Sequence, residues 1–228
     1  MSERCPHDLC DGSGLRYDVE TNTAYNCRCR PQVVARRRAS SLSAVVPRRY
    51  RDVSFDRPPV TEIEPRIVAE VRRFVARIDE HLDDGRGLWF LGPTGTGKTT
   101  LAMLVSKAAY DAGRSVAIYS LPRLLNEIRD IHRAERSHIE LLDRLTSVDL
   151  LHIDDVGAER TTDWVLEELY SIVNARYEDR RSIVITTNIL DRDALCEQIT
   201  ERTVSRLTEM CDELPLLGPD RRLERNIA

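Results

Sequence analysis

Gly92-Pro93-Thr94-Gly95-Thr96-Gly97-Lys98-Thr99 is the stretch on which the reading of this chain turns. It fits the phosphate-loop pattern G-x-x-x-x-G-K-[ST] at every position, and Thr100 follows it directly. Ahead of it, Leu88-Trp89-Phe90-Leu91 is a short apolar run that reads as a strand. Behind it, residues 98–111 read as an amphipathic helix. The glycines allow backbone N–H groups to turn inward around phosphate oxygens. The helix that begins near Lys98 aims its positive end at the same anion. Lys98 is expected to reach the β- and γ-phosphates of ATP, and the Thr99 hydroxyl to bind Mg²⁺. The chain is rich in arginine and has two lysines, Lys98 and Lys107. A lysine at this position supplies a compact point charge, which the guanidinium fork does not.

Working outward, further apolar runs read as strands at Val116–Tyr119, Val148–Ile153 and Ile183–Thr187, with a weaker one at Leu214–Leu217. Amphipathic stretches lie near 62–82, 122–145, 163–179 and 197–210. Strands alternating with helices predict an α/β fold, a parallel sheet covered by helices on both faces. Val148-Asp149-Leu150-Leu151-His152-Ile153-Asp154-Asp155 is the second motif, a Walker B candidate. Its apolar strand runs into two carboxylates at the edge of the sheet where the phosphate loop sits. Asp154 is expected to hold Mg²⁺ through water, and Asp155 to orient or deprotonate the attacking water. The alternative is a pair of aspartates that caps a turn before Gly157. His152, inside the strand, reads as a packed or hydrogen-bonded histidine. Asn188, at the tip of the strand Ile183–Thr187, is placed to contact a γ-phosphate or its water.

The chain has 228 residues, 41% of them hydrophobic and 32% charged, which suits one α/β domain with a small appendage. A net charge of −4 excludes a uniformly basic protein but not a local basic patch. No apolar run approaches a membrane span, and the polar start Met1-Ser2-Glu3-Arg4-Cys5 is not a secretion signal. A cytoplasmic location is therefore expected, with reduced thiols.

Residues 1–30 hold four of the six cysteines. Cys5, Cys10, Cys27 and Cys29 form two close pairs, and four thiolates make the closed tetrahedral set that zinc prefers. Leu15-Arg16-Tyr17-Asp18 and Thr23-Ala24-Tyr25-Asn26 suit a small hairpin between the pairs. So short a segment has no core, so a bound Zn²⁺ would supply its folding energy. His7 is an alternative ligand, and free or redox-active thiols are the other reading. Cys196 and Cys211 read as ordinary helix cysteines. From Arg28 to Arg51 the chain has many arginines and no Asp or Glu. That stretch is either a linker or a contact for nucleic-acid phosphates. The expected division is a cysteine-rich zinc module at 1–30, an arginine-rich linker at 31–45 and an ATPase domain at 46–228.

Taken together, these motifs resemble the AAA+ ATPases. More narrowly they are similar to the DnaC/DnaI-type helicase loaders, a group that also contains the IstB transposition ATPases. Pro47-Arg48-Arg49-Tyr50-Arg51-Asp52-Val53-Ser54-Phe55 is similar to the family's entry segment, and Leu150–Gly157 to its Walker B. Ile185-Thr186-Thr187-Asn188 is similar to its sensor 1, which implicates Asn188. Glu201-Arg202-Thr203-Val204-Ser205-Arg206-Leu207 resembles the box that carries its arginine finger, Arg206 being the better match and Arg202 the alternative. Gly218-Pro219-Asp220-Arg221-Arg222 resembles its terminal segment, with Arg222 as the nucleotide-contacting arginine. The resemblance implies ATP, Mg²⁺ and Zn²⁺ as cofactors, a homo-oligomer in the ATP state, and a replicative DNA helicase as partner. It also implies single-stranded DNA, for which Arg123, Arg129, Arg133 and Arg136 form one candidate row; the interleaved Glu127, Asp130 and Glu135 suit an ordinary solvated helix equally well. An IstB-like ATPase that assists a transposase is the nearest rival. A non-hydrolysing ATP-gated adaptor and a small-molecule kinase are the others.

Overall fold

The computed structural model of the chain describes residues 5–18, 21–31, 33, 46–133, 138–157 and 162–221. Most of the expected linker, Arg222 and Arg136 lie outside these residues. Two sheets are present. A two-stranded hairpin pairs β1 (Leu15–Asp18) with β2 (Thr23–Asn26), as the sequence suggested. The main sheet has β3 (Gly87–Leu91), β4 (Val116–Ser120), β5 (Leu150–Val156), β6 (Ser182–Thr187) and β7 (Cys211–Pro215), in the order β4-β5-β6-β3-β7. All its pairings are parallel.

The helices are α1 (Pro65–Ala76), α2 (Ile78–Asp83), α3 (Lys98–Asp111), α4 (Leu121–Arg133), α5 (His138–Ser147), α6 (Asp163–Glu178), α7 (Arg192–Ile199) and α8 (Glu201–Met210). Pro65 stands at the first turn of α1, where its missing N–H costs nothing. Thr162 and Asp191 cap α6 and α7 by accepting from Val165 N and Ala194 N. Among the described residues, no helix is long and apolar enough to cross a membrane.

Three expected helices are divided. The stretch 62–82 breaks at Arg77, where the backbone leaves the helical region. The stretch 122–145 becomes α4 and α5, and 197–210 becomes the end of α7 and all of α8. There Thr200 takes φ +71° and its hydroxyl accepts from Thr203 N, so one residue ends α7 and caps α8. Two strands shift. β5 starts at Leu150, not Val148, and carries both aspartates within it; β7 starts at Cys211, not Leu214. Cys211 is thus a buried strand residue and not a helix cysteine.

The sheet separates two apolar layers. Trp89, Leu151, Ile153, Ile183 and Ile185 pack against α4 to α8 on one face. Leu88, Phe90, Leu150, Val184 and Ile118 pack against α1 to α3 on the other. Strands in the middle of such a sheet are apolar on both faces, which is why β3 and β6 are buried throughout.

At the end of the sheet away from the phosphate loop, Arg176 of α6 is fully buried. Its guanidinium donates to the carbonyls of Leu145 (2.7 Å), Val148 (2.9 Å) and Ser182 (2.6 Å). It thereby ties the end of α5 and the loop before β5 to the start of β6. Replacing it by Met strands those carbonyls at about 1–3 kcal/mol each, a loss of more than about 3 kcal/mol in all. Arg176→Met should therefore lower the urea midpoint sharply. Arg176→Lys should recover only part of the loss, because one ammonium cannot span the three acceptors.

Candidate functional site

The phosphate loop leaves β3 at Leu91 and enters α3 at Lys98. Gly97 takes φ +106°, and a Cβ there would lie 2.4 Å from Ile63 Cδ1. Gly95 takes φ +80° and packs under the Asp220 carboxylate. Both positions therefore require glycine. Thr96 is buried and its hydroxyl donates to the Pro93 carbonyl at 3.0 Å.

Lys98 is buried at the head of α3, where its Nζ donates to Gly92 O and Pro93 O, both at 2.7 Å. A third bond runs to Asn188 Oδ1 at 2.8 Å. The tip of β6 and the phosphate loop are thus joined directly. The Thr99 hydroxyl lies 3.0 and 3.2 Å from the two Asp154 oxygens. A hydroxyl beside a carboxylate at the head of a helix is a hard oxygen set of the kind that Mg²⁺ takes.

Asp154 and Asp155 are neighbours on one strand and would ordinarily face opposite sides. The pairing of β5 with β6 contains a register shift between Ile153 and Val156, which inserts one residue at the two aspartates. Asp155 absorbs it with φ +59° and lines the cleft. Thr186 of β6 serves both. Its hydroxyl donates to Asp154 Oδ1 at 2.6 Å and accepts from Asp155 N at 2.9 Å. Burial raises the Asp154 pKa, but His152, Thr186 and Thr99 outweigh it and hold the carboxyl below its ordinary value.

Of these groups, Lys98, Thr99, Asp155 and Asn188 line a cleft of about 670 Å³. Thr94, Thr99, Thr100 and Asn188 form one side, and Arg49, Tyr50, Val53 and Pro59 the other. Sequence reasoning did not assign Thr186 or this second wall to the site. Thr186 carries no motif of its own; only the placement of β6 beside β5 brings it to the aspartates. Arg221 also lines the cleft, and its backbone N–H donates to Gly95 O at 3.3 Å. Of the two neighbouring arginines, the described one that reaches the cleft is Arg221, whereas Arg222 lies outside the described residues.

Arg206 stands elsewhere. It lies on α8, bonded to Asn174 and stacked 4.5 Å from the centre of the Tyr177 ring. It does not line its own chain's cleft. Arg202 is exposed on the same helix. Arg129 stacks on Trp164 at 4.6 Å, and Arg123 is exposed on α4. The Arg133 side chain lies outside the described part.

The four amino-terminal cysteines converge. Their sulfurs all lie within 4.8 Å of one another, with Cys5–Cys27 at 3.8 Å and Cys10–Cys29 at 3.5 Å. Tetrahedral zinc with bonds of about 2.3 Å requires sulfurs about 3.8 Å apart, so the cluster fits that ion. Burial raises the Cys5 pKa, yet N–H groups of Leu9 and His7 lower it to about 6, whereas burial and the neighbouring sulfurs push Cys29 up to about 12, so that without a cation the cluster favours a thiolate at Cys5 and a thiol at Cys29. His7 is exposed and is not part of the four-sulfur cluster.

A parallel sheet with a phosphate loop, a carboxylate pair and a polar strand tip defines a P-loop nucleotide-binding protein of the AAA+ type. The sequence profile of the IstB-like ATP binding proteins matches residues 30–226, and the chain belongs to that family. It is similar to the replicative helicase loader DnaC of Escherichia coli K12, 26% identical over 160 residues. That match covers 69% of this chain and 64% of the relative, so the chain spans somewhat less than two thirds of the relative's length. The crystal structure of the DnaC helicase loader superposes with a TM-score of 0.66 at 28% identity, covering 74% of this chain and 99% of that one. The crystal structure of DnaI shares the fold, with a TM-score of 0.58 at 23% identity over 72% of this chain and 88% of that one.

Gly97→Val should disable the loop, because the side chain would need both a left-handed backbone and the space held by Ile63. A fluorescent ATP analogue should bind at least about tenfold more weakly, given the strain of such a backbone for a β-branched residue. Circular dichroism should still report the α/β fold.

Proposed function

We propose that this chain is an ATP-hydrolysing AAA+ protein that loads a replicative DNA helicase onto single-stranded DNA. The observation that carries the ATPase part is the contact of Thr99 with Asp154, with Asp155 turned beside it and Asn188 on Lys98. In this reading Lys98 holds the β- and γ-phosphates, and Thr99 and Asp154 hold Mg²⁺. Bound Mg²⁺ would neutralise charge that builds on the transferring phosphate oxygens. Asp155 accepts a proton from the attacking water, and Asn188 orients that water. Arg221 takes the cis-arginine role first expected of Arg222. Arg206 is delivered to the γ-phosphate of a neighbouring copy, in a homo-oligomer formed with ATP.

The loader part rests on the similarity to DnaC and on the cysteine cluster, which suits a separate zinc module that grips a partner. Residues 1–30 form that module in this proposal, 31–45 the linker and 46–228 the ATPase domain. Protein purified without chelator should carry one Zn²⁺ per chain by elemental analysis. Substituting Cys27 and Cys29 by Ser should remove it while nucleotide binding persists. A metal-free, folded amino-terminal segment would refute the zinc assignment.

The ATPase roles separate by mutation. Lys98→Ala should lose nucleotide binding. Asp155→Asn should bind ATP normally and turn over at least about 100-fold more slowly, the usual worth of a positioned base. Arg206→Ala should bind ATP and hydrolyse it poorly. Mixing it with Lys98→Ala protein should restore activity, because one retains the loop and the other the finger. Wild-type turnover by Arg206→Ala would place the finger elsewhere, with Arg202 next to test. Co-purification from the native host identifies the partner. A helicase supports the loader, and a transposase supports the IstB-like reading that the family match also accommodates.

A further inference from the structure

His152 is a buried ionisable group beside the carboxylate pair that the proposed mechanism leaves unused. It lies on β5 two residues before Asp154, fully buried, with Leu150, Ile118 and Val184 on the same apolar face. An aliphatic residue would fill that place without cost. An imidazole there leaves its Nε2 buried with no hydrogen-bond partner. Such an orphaned group costs about 1–3 kcal/mol, so its presence calls for a physical reason.

The ring is not free to turn. Nδ1 lies 2.9 Å from Ser106 Oγ, and Ser106 is itself 3.0 Å from the Ala102 carbonyl one turn back in α3. This anchorage directs Nε2 toward Asp154, 3.9 Å from Oδ1. That distance exceeds a hydrogen bond but permits a direct electrostatic contact. Ser106 has one hydroxyl proton: donated to Nδ1 it puts the ring proton on Nε2, facing the carboxylate, and donated instead to the Ala102 carbonyl it makes Ser106 the acceptor of Nδ1–H. The other neutral tautomer would set a lone pair against Oδ1. The negative charge of Asp154 therefore selects the first arrangement.

We propose that His152 is a positioning residue for the Asp154 carboxylate, anchored through Ser106 to the helix that begins at the phosphate loop. This inference rests on the reading of Asp154 as a Mg²⁺-binding residue. Asp154 has three polar neighbours from three elements: Thr99 of α3, Thr186 of β6 and His152 of β5. Thr99 is also the hydroxyl that a metal would claim. Among the described residues, Thr186 and His152 are then the two groups left to fix the carboxylate, both at Oδ1. Partners of this kind set the orientation and basicity of a metal-binding carboxylate.

The test titrates Mg²⁺ into each protein with a fluorescent ATP analogue and follows binding, with parallel melting curves. Gln is the informative replacement, since its side-chain amide reaches the place of Nε2. Asn reaches only toward Ser106, and Val reaches neither. His152→Gln should keep the half-saturating Mg²⁺ within about threefold of wild type, whereas His152→Asn and His152→Val should raise it about 10- to 100-fold. Binding of the analogue in EDTA should be alike in all four proteins. His152→Val should melt no lower than wild type, which separates positioning from structural support. If it does not fold, the Gln and Asn variants decide the matter. The same half-saturating Mg²⁺ in every variant would overturn the role of His152. Wild-type binding insensitive to Mg²⁺ would instead overturn the assignment of Asp154, and this inference with it.

Discussion

The site depends on one topological constraint: β6 lies between β3 and β5. The phosphate loop follows β3 and the paired aspartates lie on β5, so the two motifs are not on adjacent strands. Thr99 reaches Asp154 directly, and β6 joins the two motifs a second time. Thr186 does so by donating to Asp154 and receiving the Asp155 N–H, and Asn188 does so by accepting from Lys98. The register Phe90↔Thr186 and Leu91↔Thr187 places those side chains level with the loop. A slip of one residue would turn the Thr186 hydroxyl to the opposite face and leave Asp154 with fewer donors in a buried place.

The same constraint explains the irregularity at Asp155. A regular strand would send one aspartate toward α3 and the other toward the opposite layer. One extra residue in β5 and a left-handed backbone at Asp155 bring Asp155 to the cleft, while Asp154 stays against Thr99 at the head of α3. Aspartate tolerates that conformation better than most residues, and Thr186 accepts its N–H. Local strain is in this way compensated by a hydrogen bond from the interposed strand.

Much of this was legible in the sequence, for identifiable reasons. The phosphate loop, β3 and α3 have contiguous signals, and the structure places them where the pattern did. The hairpin Leu15–Asp18 with Thr23–Asn26 was legible because turn-forming residues and cysteines bracket it. The order of strands was not, since parallel strands with similar apolar runs carry no mark of their neighbours. The division of the last long helix was not either. Thr200 looks like any helical threonine until its φ is known. Arg176 and His152 were obscure for a related reason. Their meaning lies in which carbonyls and hydroxyls reach them from distant parts of the chain.

Arginines illustrate where pattern ends and geometry begins. The chain is rich in them, and composition alone cannot rank them. Pairing does. Arg72, Arg77, Arg86, Arg114 and Arg181 each meet a carboxylate, and their charge is spent within the chain. Arg176 is spent on carbonyls. Arg129 and Arg206 have neutral partners instead: Asn126 and the Trp164 ring for Arg129, Asn174 and the Tyr177 ring for Arg206. A guanidinium held in place by neutral groups keeps its full charge for an incoming anion and loses little side-chain entropy on meeting it. Arg206 is therefore preorganised yet electrostatically unsatisfied, on a surface away from its own phosphate loop. In the proposed assembly the anion that meets it is the γ-phosphate bound by a neighbouring copy.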